Sequence, residues 1–255
     1  MTPNQTINKT REELNAMADR CRDMAQDLED LADGLPIVPV NCETISSTPL
    51  PGFACISKML RNGQRPEPGQ MVHTTLTDGT VAKWRVIDTT HMAQLLGTEL
   101  EPVVAQLVEI LHYRPFSRPD KQHPWGWNNY EASELAAWMD KEYLDRMNSM
   151  DKDCIIPRHD LGGKEGRMFW LLSTEEAGFD DLDKAFDWYA CEDEDQRDER
   201  RQLKDSDGDA ANWWLRTPNS GPATTVRSVN TYGSLNFNII NAYNAYGVAP
   251  ACIIG

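Results

Sequence analysis

The residue types that could do chemistry are thinly spread along this chain. Five histidines (His73, His91, His112, His123 and His159) stand apart, and none is spaced from another His, Cys or Glu as metal ligands usually are. Six cysteines (Cys21, Cys42, Cys55, Cys154, Cys191 and Cys252) contain no CxxC pair. Neither a zinc site nor a compact disulfide framework is expected, and most should be small buried apolar residues in a reducing compartment. No GxSxG, HExxH, phosphate-binding loop or GxGxxG occurs, and Gly162-Gly163 in DLGGKEGR reads as a turn. The nearest approach to a metal loop is DSDGD, with Asp205, Asp207 and Asp209 at alternate positions. Its Gly208 is fourth rather than sixth, and the twelfth position is Arg216. A solvated, mobile face is the better reading. No metal, cofactor or catalytic residue is assigned, and the expectation is a protein that is not an enzyme.

What the residues suit better is contact. SLNFNIINAYNAYG, from Ser234 to Gly247, holds four Asn, two Tyr and a Phe without a charge, and Arg227 is the sole charge between Thr217 and Gly255. Tyr and Phe offer large contact areas at low conformational cost, Asn and Ser offer adaptable hydrogen bonds, and the same mixture dominates antibody paratopes. Turn formation accounts for Gly233, Ser234 and Gly247, but not for rings among the amides, because exposed rings cost solubility unless they bind something. Alternation puts Asn236 and Asn238 on one face of an extended strand and Leu235, Phe237 and Ile239 on the other. A frame change at Ile239-Ile240 then leads into a loop. The expected binding set is Asn230, Tyr232, Asn236, Phe237, Asn238, Asn241, Tyr243, Asn244 and Tyr246. Trp213, Trp214, Leu215 and Arg216 are expected in the scaffold, since paired Trp beside Leu is more often core than platform.

Positioning these residues falls to a chain of 255 residues, enough for one large domain with an appendage. Forty acidic against 25 basic side chains, a net charge of −15, argue against a nucleic-acid partner. No apolar run approaches the roughly 18 residues of a bilayer span. The opening MTPNQTINKTREEL lacks a signal pattern, so synthesis and folding in a bacterial cytoplasm are expected. Ile7, Thr10, Leu14, Met17, Cys21, Met24, Leu28 and Leu31 follow a 3-4 alternation among polar residues, which predicts a parallel coiled coil over residues 1–34. Self-association would run through residues 7–31. Met and Cys at core positions specify oligomer number poorly, and a trimer is favoured. Residues 35–51 read as a proline-rich linker or extended edge.

A hairpin is predicted around Asp78-Gly79. Residues 91–112 read as helix on Met92, Leu95, Leu96, Val103, Leu107, Ile110 and Leu111. The aromatic loop HPWGWNNY precedes a second helix from near Ser133, with Leu135, Trp138, Met139 and Tyr143 on its apolar face. RMFWLLS reads as a buried strand. Residues 175–209 form an insertion with fifteen acidic and five basic side chains. WWLRTP then opens the tail 217–255, which ends on the apolar run ACII. The class is α+β.

The order WRVID, SELAAWMDKEYL, MFWLLSTEEA, WWLRTP and a Gly-Ser-Asn tail ending GVAPACII resembles a large uncharacterised domain family of gut bacteria and their phages, over about residues 52–255. That family in turn resembles the C-type-lectin-like fold, in the branch shared with formylglycine-generating enzymes and the variable proteins of diversity-generating retroelements. The resemblance implies a C-type-lectin-like ligand-binding domain over 52–255 with a variable region at 217–255, where randomised adenines diversify Asn codons. Every residue type from Asn219 to Tyr246 is reachable in that way. It further implies a protein or glycan ligand on a bacterial surface, and display on a phage virion or cell. There are departures: Ala249 and Cys252 stand where the family has Arg and Leu, and WMD replaces WLN. Only Cys252 lies near the tail, so the reactive cysteine pair of the enzyme branch has no counterpart. One alternative is a structural phage or cell-surface protein whose tail makes intersubunit contacts. Another is an enzyme with a pocket around His123 and His159.

Overall fold

The computed structural model describes residues 48–92, 101–163, 165–236 and 240–255. The chain divides into two units, and the larger, Ser47–Gly255, contains every one of them. The expected coiled coil over 1–34 and most of the linker over 35–51 therefore lie outside the described residues. The described part is mixed α+β, mostly sheet with few helices.

Its main sheet starts where the linker was expected to end, because Leu50–Pro51 (β1) pairs in parallel with Met71–Thr75 (β2). Between them, Phe53–Arg61 (α1) buries Phe53, Ile56 and Ser57. Its first amides are capped from afar, with Phe53 N–H donating to Asp151 Oδ1 at 2.5 Å. The predicted hairpin forms between β2 and Val81–Asp88 (β3), and Thr75 opposes Val81. Asp78 accepts from Thr80 N–H inside the turn. Trp84 of β3 is fully buried and donates to Thr74 at 2.9 Å.

Of the helix expected over 91–112, His91 and Met92 are helical and residues 93–100 lie outside the described residues, but from Val103 onward a strand forms instead. Val103–Leu107 is a fully buried strand, β4, between β3 and the C-terminal run Ala251–Ile254 (β13). Burial on both faces removes the apolar–polar alternation that marks a strand, so its Val and Leu residues mimic helical spacing. Ile155–Ile156 (β7) closes the sheet beyond β13. RMFWLLS is buried as expected, with Phe169, Trp170, Leu171 and Leu172 at zero exposure. It is not a ladder strand, however, and joins the sheets through the bridge of Trp170 to Ala251, the Arg216 N–H donating to the Leu172 carbonyl and the stacking of Phe169 on Trp84.

A second sheet carries the tail. Its order is Val226–Val229 (β11), Trp213–Pro218 (β10), Ala245–Gly247 (β12) and Tyr113–Pro115 (β6). Trp213, Trp214 and Leu215 are fully buried, as expected of scaffold. The helix near Ser133 is Glu134–Trp138 (α2), capped by Ser133 Oγ accepting from Ala136 N–H, and its predicted apolar face is buried.

The acidic segment 175–209 is more than a mobile face. Ala185, Phe186, Tyr189, Arg201 and Leu203 are buried while its carboxylates, Glu176 apart, are half-buried or exposed. Glu194–Arg201 forms a short helix (α4, following Ser149–Lys152, α3), and Leu203–Asp205 (β8) pairs with Ala210–Ala211 (β9) and Glu109–Ile110 (β5). DSDGD is the turn of that hairpin, and Asp205 Oδ1 accepts from Asp207 and Asp209 N–H.

Candidate recognition surface

Two family signatures meet in a buried ion-pair network that fixes one wall of the surface. Glu176 of MFWLLSTEEA accepts from Arg158 at 2.7 Å and from both terminal nitrogens of Arg216 of WWLRTP. Burial alone would raise the Glu176 carboxyl, but the Arg216 and Arg158 guanidiniums and the Ser173 N–H outweigh it and hold it at about 2. Asp140, from the WMD variation, accepts from Arg167, which also donates to the Glu131 carbonyl at 2.7 Å.

The tail runs out along β11 and back beside it. Val229 bridges Leu235, Asn236 N–H donates to Ser228, and Val226 N–H donates to Ile240. Asn230 and Tyr232 therefore sit at one end of this hairpin, and Asn241, Tyr243 and Asn244 at the other, roughly 20 Å away at the rise of an extended chain. The expected residues that are described do not form one patch. Tyr232 is 76 % exposed, in a turn that Gly233 makes possible: φ is +86°, and a Cβ there would lie 1.8 Å from the Asp198 carbonyl oxygen. Asn230, Asn241, Asn244 and Tyr246 are half-buried, and Tyr243 is 38 % exposed. Phe237 and Asn238 lie outside the described residues.

Asn236 needs correction. It is 8 % exposed and faces inward, the reverse of the expected side, because its side chain hydrogen-bonds Tyr246. Tyr246 in turn stacks on Trp214, with centroids 4.7 Å apart. A buried amide of this kind is satisfied internally and is not available to a ligand.

At the Tyr243 end the tail meets the aromatic loop. Trp125 is 55 % exposed and its ring lies 5.8 Å from that of Tyr243, tilted 42°. Gly126 allows the approach: its φ is +78°, and a Cβ would lie 2.5 Å from the Ser117 carbonyl and 2.9 Å from Ala242 Cβ. Ser117 N–H donates to Ala242, and Asn128 ties the loop to Ala223 and Thr225. His123 stacks flat on Trp127 at 4.9 Å, and Asp120 accepts from the His123 backbone N–H at 2.6 Å. Beside the loop lies a cavity of about 580 Å³, lined by Trp127, Asn128, Asn129, Glu131, Arg216 and Thr217 among others. Neither His123 nor His159 lines it. The expected set omitted Trp125 and Trp127; HPWGWNNY itself, with two Trp and two Asn, was the signal.

Among the described residues one group has ligand atoms close enough for a metal, namely Asp88, His91 and Asp187. Its oxygens are already engaged. Asp88 accepts from the His91 ring at 2.6 Å and from His91 N–H at 3.0 Å, and Asp187 accepts from Thr89 and Thr90. It is a capping network that ties β3 to the acidic segment.

Residues 105–255, more than half of the chain, match the family described as a domain of unknown function, DUF6273. The chain belongs to the DUF6273 family. No curated protein and no solved structure matches it. The region matched to DUF6273 contains the Glu176–Arg216 pair, the aromatic loop and the whole tail, and so every wall of the surface described above.

Proposed function

We propose that this chain is a ligand-recognition protein whose binding surface is centred on Trp125 and Tyr243, with Asn241 and Asn244 beside them. Two exposed rings in contact, held by a glycine-locked loop and a strand end, are the observation that carries this reading. Rigid aromatic anchors flanked by amides are the composition of binding hot spots. The domain is read as C-type-lectin-like and non-catalytic, with a tail diversified by a retroelement. Its ligand is a protein or glycan on a bacterial cell, and the N-terminal helix over 1–34 groups several copies on a phage virion or cell surface.

The test is flow cytometry of the labelled full chain on intact bacterial cells, with Trp125→Ala and Tyr243→Ala combined. Loss of two such anchors should weaken binding by roughly 30-fold or more, the equivalent of about 2 kcal/mol. The melting temperature should stay within about 2 °C of the parent, as for exposed positions. Unchanged binding, or a collapse of stability, would remove the reading. Loss of the oligomer with the fold intact would assign the rings to intersubunit contact instead. Diversification has a separate test in the neighbouring DNA, where a near-copy of the coding sequence's end differing only at adenines should lie beside a reverse-transcriptase gene.

A further inference from the structure

In a chain with net charge −15, a guanidinium without a carboxylate partner is unexpected. Arg85 of β3 is one. It stands opposite Gln106 of β4 in the antiparallel register, so the two side chains share one face of the sheet. The acidic segment covers that face. Tyr189 donates its hydroxyl to Gln106 Oε1 at 2.6 Å, and burial pushes that phenol up to about 12. Arg85 lies 4.7 Å from the centre of the Trp188 ring, and Arg200 lies 4.6 Å from it.

Two buried donors here have no acceptor. Gln106 is 0 % exposed, and its Nε2 has no partner; the Trp188 indole nitrogen is buried without one as well. Arg200 donates to the Trp188 carbonyl at 2.8 Å, with a long contact to Gln196. Among the described residues no carboxylate pairs with Arg85 or Arg200. Asp198 of the helix is committed to Arg201 and Ser234. Buried donors in native proteins are nearly always satisfied, and two neighbouring cations without a counter-ion repel each other. Water could meet the amide but could not neutralise the guanidiniums. An oxyanion does both, because a guanidinium fork and an amide N–H match two oxygens of one planar or tetrahedral group.

We infer that Arg85, Gln106, Trp188 and Arg200 form a binding site for a small oxyanion, a carboxylate or a phosphate, between the main sheet and the acidic segment. The ion neutralises the paired cations and fastens the segment to the sheet.

The experiment is thermal unfolding of the full chain at constant ionic strength, replacing chloride with up to about 20 mM phosphate, sulfate or acetate. At tenfold the dissociation constant or above, binding to the folded state alone should raise the melting temperature by about 2–5 °C relative to chloride. Which salt acts separates phosphate from carboxylate. Arg85→Gln should abolish the rise, and Gln106→Glu, which places a carboxylate in the site, should abolish it too. Should Arg85→Gln fail to fold, Arg200→Gln takes its place. An equal response in parent and variants would be a general salt effect, and no response in the parent would mean that these residues bind no oxyanion; either overturns the inference.

Discussion

His112 is held in its neutral form on one side of the fold. Burial, and then the Arg146 and Arg114 guanidiniums, push its pKa down to about 4 from an ordinary 6.5, while Trp138 and Tyr143 pack edge-on against the ring. A group with a depressed folded pKa binds fewer protons folded than unfolded, so its stabilisation disappears as pH falls from 6.5 towards 4. Glu176 acts in the next window, since its stabilisation is full above 4.5 and is lost as pH falls towards 2. His91 has the opposite sign. Burial lowers its pKa, but bonding to Asp88 and the charge of Asp187 overcome that and raise it, so its contribution is present below 6.5 and fades as pH rises through the folded value. Urea unfolding across pH should therefore show two acid limbs. His112→Gln should flatten the upper one by on the order of 1–2 kcal/mol, after discounting for partial exposure, and leave the lower one in place. A single limb unaffected by the substitution would assign the acid sensitivity elsewhere.

At the scale of elements, the aromatic loop is the part that can be broken without touching a contact residue. Gly126→Ala forces a Cβ into the Ser117 carbonyl at a backbone angle that suits glycine. The loop should shift away from Ala242, separating Trp125 from Tyr243. Cell binding should fall by about tenfold or more, with a stability loss of roughly 1–3 kcal/mol by urea unfolding. Full binding would mean that the rings act independently of their spacing.

Elements of this kind were unevenly legible. The Asp78-Gly79 hairpin and the Ser133 cap were readable because turn and cap chemistry is local. β4 was not, since a strand buried on both faces has no alternation, and α1 was passed over although Phe53, Ile56 and Leu60 carry helical spacing. Asn236 could not be placed from sequence because its partner, Tyr246, becomes a neighbour only when the tail folds back. Trp125 and Tyr243 are over a hundred residues apart, and long-range pairings such as Ser117 with Ala242 are what bring them together.

For the whole molecule, the proposed function requires a small patch to hold a cell. Among the exposed rings of the described residues, only Trp125 and Tyr243 touch one another, well short of the roughly 800 Å² per partner of a standard protein interface. One such site should bind weakly. The heptad stripe over residues 7–31 offers the remedy, because parallel helices would carry several sites on one particle and turn later contacts into intramolecular ones. Removing residues 1–46 leaves the unit Ser47–Gly255. Light scattering should then report a monomer with a melting temperature within a few degrees of the parent. Its apparent affinity for cells should fall by about 10²–10⁴-fold. If the shortened chain stays oligomeric, the contacts between copies lie in the domain itself. If it becomes monomeric and binds cells as tightly as the parent, one site suffices, and the stripe serves something other than avidity.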